Sequence, residues 1–198
     1  MKENYSALPS YPLRAGADIS RPTQMFPENV TLKDAAINVM TDLRRISVVN
    51  VRARTSMEKA NAKMIRYGVR TLLVVDDADK VAGILTATDV LGDKPVRFLQ
   101  QMGGTHADIL VRDVMTVQRE LEVLKLDDVL KAKVGDILAT LKAAGRQHAI
   151  VVEENEDGSQ TLRGLFSATQ IARQMGVRVN TAEVVKIFSE IEAAVGAH

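Results

Sequence analysis

One seven-residue phrase occurs twice in this chain of 198 residues, and it constrains the fold more than any other feature. Residues 83–89 read G-I-L-T-A-T-D, and residues 164–170 read G-L-F-S-A-T-Q, 81 positions later. Each phrase follows a β-rich run that is itself repeated, T-L-L-V-V at 71–75 and A-I-V-V at 149–152. Gly68 and Gly145, which close two amphipathic stretches, lie 77 positions apart, so the connection between the paired strands is four residues longer in the second copy. Self-similarity of this kind marks two copies of one supersecondary unit.

The order within each copy reads strand, helix, strand, strand, helix. In the first copy we expect a short helix over 31–42 and a strand over 46–51. A helix bearing Met57, Ala60, Met64 and Tyr67 on one face then stops at Gly68. Strands follow at 71–75 and 81–85 around the polar turn 76–80, and Thr86 or Thr88 caps a helix interrupted at Gly92 and Pro95 that ends near Met102. In the second copy, Val114-Met115-Thr116 echoes Val39-Met40-Thr41, and a strand is expected over 121–126. Val134, Ile137, Leu138 and Leu141 mark a helix, and strands are expected at 149–152 and 162–166 with a short helix after Ser167. Four of the five prolines fall within residues 1–30, which reads as an extended arm. A last helix over 181–195 opens on a capping-box spacing between Asn180 and Glu183, and carries the stripe Val184, Ile187, Phe188, Ile191 and Val195. That stripe either packs on its own subunit or forms a dimer contact. A unit this small cannot bury both faces of its sheet alone, so we expect an α/β (α+β) fold of two repeats packed sheet to sheet. The divisions are an arm at 1–33, repeats at 34–102 and 109–176, a linker at 103–108 around Gly103-Gly104, and a C-terminal helix at 177–198.

Composition narrows the function classes. A net charge of +1 supplies no field to recruit nucleic acid or an anionic membrane. The chain has no cysteine, which excludes disulfide and thiolate chemistry and suits a cytoplasmic location. No apolar run approaches a membrane span, and no signal-peptide core is evident at the N-terminus. Aromatic residues are only 4% of the chain, too few for a stacking platform. The acidic run Asp76-Asp77-Ala78-Asp79 lacks the glycine and distal glutamate of an EF-hand loop and reads as a solvated turn. Three scattered histidines make no zinc site. Neither a P-loop nor a G-x-S-x-G motif is present, and no nucleophile–base pair falls at an informative spacing, so we expect no enzymatic activity.

Thr86 and Asp89 stand where a strand feeds a helix. Unpaired N–H groups and the positive end of the helix dipole favour an anion there, and the Thr86 hydroxyl adds a donor. An ionised Asp89 only accepts hydrogen bonds and suits the two hydroxyls of a ribose. The alternative is purely structural: Thr86 as an N-cap and Asp89 as a first-turn acid.

The repeat order, the run Gly68–Val75 (G-V-R-T-L-L-V-V) and the phrase at 83–89 resemble a CBS domain pair, the Bateman module. The resemblance covers about residues 34–176. The second copy matches at 145–152 (G-R-Q-H-A-I-V-V), then departs where Gln170 replaces the phrase's final aspartate. Leu73 and Ile150 stand in place of the family's usual strand proline. The resemblance implies a regulatory module, without catalysis and needing no cofactor, that binds an adenosyl effector (AMP, ADP, ATP or S-adenosylmethionine) between the repeats and signals to a separate protein target. The rival reading is a ligand-independent dimerisation scaffold. Implied contacts are Leu85, Thr86 and Asp89, met by Arg146, Gln147 and His148 from the other repeat, with Val49 and Leu126 toward the base. The mirror site would use Ser167 and Gln170 with Arg70 and Thr71, and its neutral Gln170 would bind more weakly than Asp89. Family members commonly stack in twos, so a homodimer is expected through the faces of Met57, Met64, Ile137 and Leu141 and the C-terminal stripe.

Overall fold

The computed structural model describes residues 26–178 and 184–196. Most of the expected arm and the Asn180–Glu183 capping box lie outside the described residues. After a 3-10 turn at Ala36–Val39 come β1 (Thr41–Asp42), β2 (Asn50–Arg52), α1 (Met57–Tyr67), β3 (Thr71–Val75), β4 (Val81–Thr86), α2 (Ala87–Leu91) and α3 (Lys94–Met102). The second half contains α4 (Val111–Val114), β5 (Thr116–Val117), β6 (Val123–Lys125), α5 (Leu126–Val129) and α6 (Val134–Ala143). It continues with β7 (His148–Glu154), β8 (Gln160–Ser167), α7 (Ala168–Gln174) and α8 (Val184–Gly196).

Local chemistry sets the element ends. The Ser56 hydroxyl accepts from the Lys59 N–H at 3.4 Å to open α1, and Gly68, at φ 63°, closes it in the left-handed conformation that suits glycine. Met57, Ala60 and Met64 turn inward at helical spacing. Tyr67 was expected on that face, but it lies at the stripe's edge and is 55% exposed. Both central hairpins carry the same register shift, at Val74/Val75 and at Val151/Val152, so the repeat extends to an irregularity of the backbone.

Three expected elements are shorter than the pattern suggested. Within 31–42 the helical part is only the 3-10 turn, because residues 41–42 are captured as a strand by β8. The strand expected over 46–51 is confined to Asn50–Arg52, and Ile46 instead closes a turn onto the Asp42 carbonyl at 3.0 Å. The strand expected over 121–126 is Val123–Lys125, and Leu126 already begins α5.

The sheets do not follow the sequence repeats. One has the order β2-β3-β4-β5 and the other β1-β8-β7-β6. Each therefore holds three strands of one repeat and a two-residue edge strand of the other. The exchange explains the glycine that begins each repeated phrase. Gly83 pairs with Val117 of the incoming β5, and a Cβ there would run into the Thr116 carbonyl oxygen. Gly164 pairs with Asp42 of β1, and a Cβ there would meet the side chain of Met40. An ion pair locks β1 in place. The Arg163 guanidinium grips both oxygens of Asp42, with the two side chains only 11% and 15% exposed. Burial opposes ionisation of Asp42, but Arg163, the Arg44 N–H and Arg45 outweigh it and hold the carboxyl below its usual value.

Two apolar clusters lie on the helical sides of the sheets. One joins Met57, Ala60, Met64, Leu72, Val74 and Leu85, and the other joins Ile137, Leu141, Val151, Phe166 and Ile171. Leu73, Val75, Ile150 and Val152 are buried but belong to neither cluster; strand alternation turns them to the opposite faces, between the sheets. The dimer expectation for Met57, Met64, Ile137 and Leu141 is thereby corrected, because α1 and α6 press all four onto their own sheets. Ile187, Phe188 and Ile191 of α8 join the second cluster, so these three residues of the stripe pack on their own chain, while Val195 is exposed.

The two phrase glycines give an unequal pair of mutants. Gly83→Ala forces backbone against backbone and should destabilise by roughly 2–3 kcal/mol. Gly164→Ala meets a flexible thioether and should cost about 1 kcal/mol, the low end of overpacking penalties. Urea denaturation of both variants measures the order, and equal costs would contradict the strand-exchange account of Gly83.

Candidate functional site

Side chains from both repeats converge on one cleft of about 240 Å³. The first repeat supplies Ile84, Thr86, Thr88 and Asp89. The second supplies Thr116, Glu120, Leu121, Glu122 and the stretch Gly145–His148 with Ile150. The cleft forms because α2 starts at the end of β4 while β7 begins, in the other sheet, at His148.

Five of the residues named from the sequence meet here: Thr86, Asp89, Arg146, Gln147 and His148. Leu85 does not line the cleft. It is fully buried in the first helical cluster, and Ile84 faces the cleft instead, since adjacent strand residues point to opposite faces. Val49 and Leu126 also pack elsewhere, against the first and second helical clusters respectively. Leu121 is the apolar wall on that side. Thr116 and Glu122 could not be picked from spacing, because β5 and the start of β6 reach the cleft only through the tertiary fold.

Thr86 and Asp89 form a closed capping box. The Thr86 N–H and hydroxyl both donate to Asp89 Oδ2, each at 2.7 Å, and the Asp89 N–H donates back to the Thr86 hydroxyl at 3.2 Å. The Ala87 N–H donates to the Arg70 carbonyl at 2.8 Å. These donors at the head of α2 are spent, and the hydroxyl proton expected to meet a phosphate is directed at Asp89. The other oxygen of Asp89 is taken as well, by Lys94 Nζ at 2.6 Å. Lys94 was missed by the sequence reading, although it stands only five residues further on.

The remaining charges are also paired. Arg146 bonds Glu122 at 3.0 Å, an open pair with side chains 42% and 78% exposed. Gln147 is buried. Burial pushes His148 down to about 4; Arg70 acts in the same direction and Asp89 opposes it. The imidazole is therefore neutral at pH 7, both donor and acceptor.

The mirror positions are arranged differently. Ser167 caps α7 through the Gln170 N–H at 3.4 Å. Gln170 lines a separate hollow with Phe26, Pro27, Glu28, Asn29, Arg173, Gln174 and Gly176. Its amide donates to Gln174 Oε1 at 3.4 Å, and Gln174 Nε2 donates to the carbonyls of Pro27 and Asn38. Arg70 is exposed, and the Thr71 hydroxyl is buried with no hydrogen-bond partner. The acidic run 76–79 is a tight turn in which Asp76 Oδ1 accepts from the N–H groups of Ala78 and Lys80. Among the described residues no three His, Asp or Glu side chains gather to hold a metal, and no helix is long and apolar enough to cross a membrane.

The depressed value of His148 links stability to pH. Between about 4 and 6.5 the unfolded histidine binds a proton that the folded one refuses. Its contribution is complete above pH 6.5 and falls away as the pH drops toward 4. Urea midpoints should decline over that window, and His148→Gln should flatten the decline. An unchanged pH profile in the variant would remove His148 as its source.

Comparison with known proteins places these features. Residues 39–93 match the CBS domain family. No curated protein matches the chain. Among solved structures, an uncharacterised conserved protein from Pyrococcus horikoshii is 23% identical, with a TM-score of 0.52 over 77% of this chain and 99% of that one. A CBS-domain containing protein from Agrobacterium tumefaciens is 18% identical, with a TM-score of 0.51 over 77% of this chain and 98% of that one. The matched segment runs from the last residue of the 3-10 turn to the loop after α2, and the same unit recurs in the second half. The first repeat matches the CBS domain, and the chain as a whole has a fold similar to that of a CBS-domain containing protein.

Proposed function

We propose that this chain is a non-catalytic regulatory module that binds one adenosyl ligand in the cleft between its repeats and signals to a separate protein. The observation that carries the reading is the convergence of Asp89 from one repeat with Arg146, Gln147 and His148 from the other. A buried carboxylate at one end and a guanidinium beside a neutral imidazole at the other suit the diol and the phosphate of a nucleotide. The Thr86 hydroxyl and the N–H groups of Thr86, Ala87 and Asp89 are already bonded, and we place the phosphate at the Arg146 end, where a guanidinium lines the cleft. The cleft is smaller than typical ligand sites of roughly 300–1,000 Å³, so part of the ligand stays in solvent. A ligand that touches both repeats biases their relative orientation, and that bias is what a partner reads.

Charge favours some adenosyl compounds over others. Asp89, Glu120 and Glu122 line the cleft against one guanidinium, Arg146. Each added phosphate brings more negative charge toward those carboxylates, so AMP and S-adenosylmethionine should bind ahead of ADP and ATP. We assign one ligand per chain, since the mirror position offers the amide of Gln170, which is already bonded to Gln174. A thermal-shift panel of the four compounds tests the ranking; a ligand at about 100 times its Kd adds about 2.7 kcal/mol of stability. Calorimetry should return a stoichiometry of one, and Asp89→Asn should weaken binding by about tenfold or more, equivalent to 1.4 kcal/mol. Two equivalent sites, or unchanged affinity in the variant, would contradict this site. No binding by any of the four would favour the scaffold reading.

We further infer a homodimer. Its surface is the groove between α1 and the α2–α3 corner, lined by Asn61, Leu91 and Val96, where Leu91 is 72% and Val96 56% exposed. Closed two-fold pairing is the commonest way to cover such a patch. Light scattering should give about twice the chain mass of 21.6 kDa, and Val96→Asp should halve it. A monomer at micromolar concentration would refute the dimer.

A further inference from the structure

Asp89 is already occupied, and what occupies it has consequences for any ligand. Oδ2 accepts two hydrogen bonds from Thr86, which saturates it. Oδ1 accepts from Lys94 Nζ at 2.6 Å, leaving room for one more donor. A vicinal diol needs two acceptor positions, so both of its hydroxyls can engage Asp89 only if the ammonium leaves. We propose that Lys94 is a built-in competitor for the ribose diol, and that its displacement is how binding is reported outside the cleft. The proposal rests on the reading of the cleft as an adenosyl site.

Lys94 is held at two points. Its ammonium also donates to the Val114 carbonyl at 3.1 Å, the last residue of α4 and two before the Thr116 that lines the cleft. As the first residue of α3, Lys94 therefore ties α3 to α2 through a side chain and to the approach of β5 through a backbone group. When a diol takes Oδ1, the α2 tie is lost. Helix α3 is the element this frees, and it carries exposed Val96 and Met102 beside exposed Leu91. The signal leaves on an apolar surface.

The second repeat supplies an internal comparison. There Gln170 stands for Asp89, and Gln174 bridges from it to the Asn38 carbonyl much as Lys94 bridges from Asp89 to the Val114 carbonyl. The carboxylate and the ammonium are thus both absent, and two amides do the bridging. A lysine kept only to satisfy a carbonyl would not need the carboxylate. In the second pair in the cleft, Arg146 with Glu122, the carboxylate is far more exposed than Asp89, and the pair yields to a phosphate at little cost.

The test uses AMP and 2′,3′-dideoxy-AMP, which carry the same phosphate but differ in the diol. Calorimetry on the parent chain, Lys94→Met and Lys94→Arg reads the competition. Lys94→Met should bind AMP roughly three- to tenfold more tightly than the parent, with the dideoxy compound unchanged, as expected when a charge-assisted rival is removed. Lys94→Arg keeps the charge and should bind AMP no better than the parent. Hydrogen exchange should show AMP loosening residues 94–102 in the parent, and those residues already loose in Lys94→Met. No gain in Lys94→Met, or an equal gain for both nucleotides, overturns the competition. AMP bound by the parent with exchange unchanged over 94–102 overturns the release. If AMP binds none of the three proteins, the adenosyl reading fails and this proposal with it, an outcome distinct from AMP binding that ignores Lys94.

Discussion

The exchange of one edge strand between the two sheets is the constraint on which the rest of this molecule depends. β1 and β5 are only two residues long each, yet each completes the other repeat's sheet. The repeats cannot separate without stripping backbone hydrogen bonds from both sheets. Their interface is thus partly built of directional bonds as well as apolar packing. The glycines facing the exchanged strands and the Arg163–Asp42 pair are local adaptations to that crossing. Because the crossing sets how the sheets face each other, it also sets the distance between the start of α2 and the start of β7, which is the width of the cleft.

Within that cleft the charges come already paired. Asp89 meets Lys94, Arg146 meets Glu122, and His148 is kept neutral by burial. This is how a small fold places ionised groups near a core without leaving any of them alone in poor solvent. The two pairs differ in burial, and so in how readily they give way. A ligand here trades existing internal bonds for new ones, and its affinity reflects the difference.

The copies have diverged in how their helical sides are finished. In the second, α8 lays Ile187, Phe188 and Ile191 across α6 and α7. In the first, α3 turns toward α4, and the edge of α1 and α2 keeps Leu91 and Val96 in water. The site positions diverged in parallel, from a carboxylate with an ammonium to two amides.

Local information was enough for the elements made by neighbours in the chain. The hairpins β3–β4 and β7–β8, helices α1 and α6 with their glycine stops, and the Thr86 cap could all be read from periodicity and end residues, because 3–4 residue spacings and two-strand turns are short-range physics. The repeat also revealed that two like units must pack together, and the family resemblance implied that Asp89 and the Arg146–His148 stretch should meet. Tertiary structure alone decided which sheet β1 and β5 join, since two residues carry too little pattern to declare a partner. It also decided that Ile84 rather than Leu85 faces the cleft, because a pleat reverses sides at every residue and its phase is set by the layer behind it. Finally, it brought Lys94 and Glu122 onto the two recognition groups, through contacts that exist only once α3 has folded back and β6 has crossed to β7.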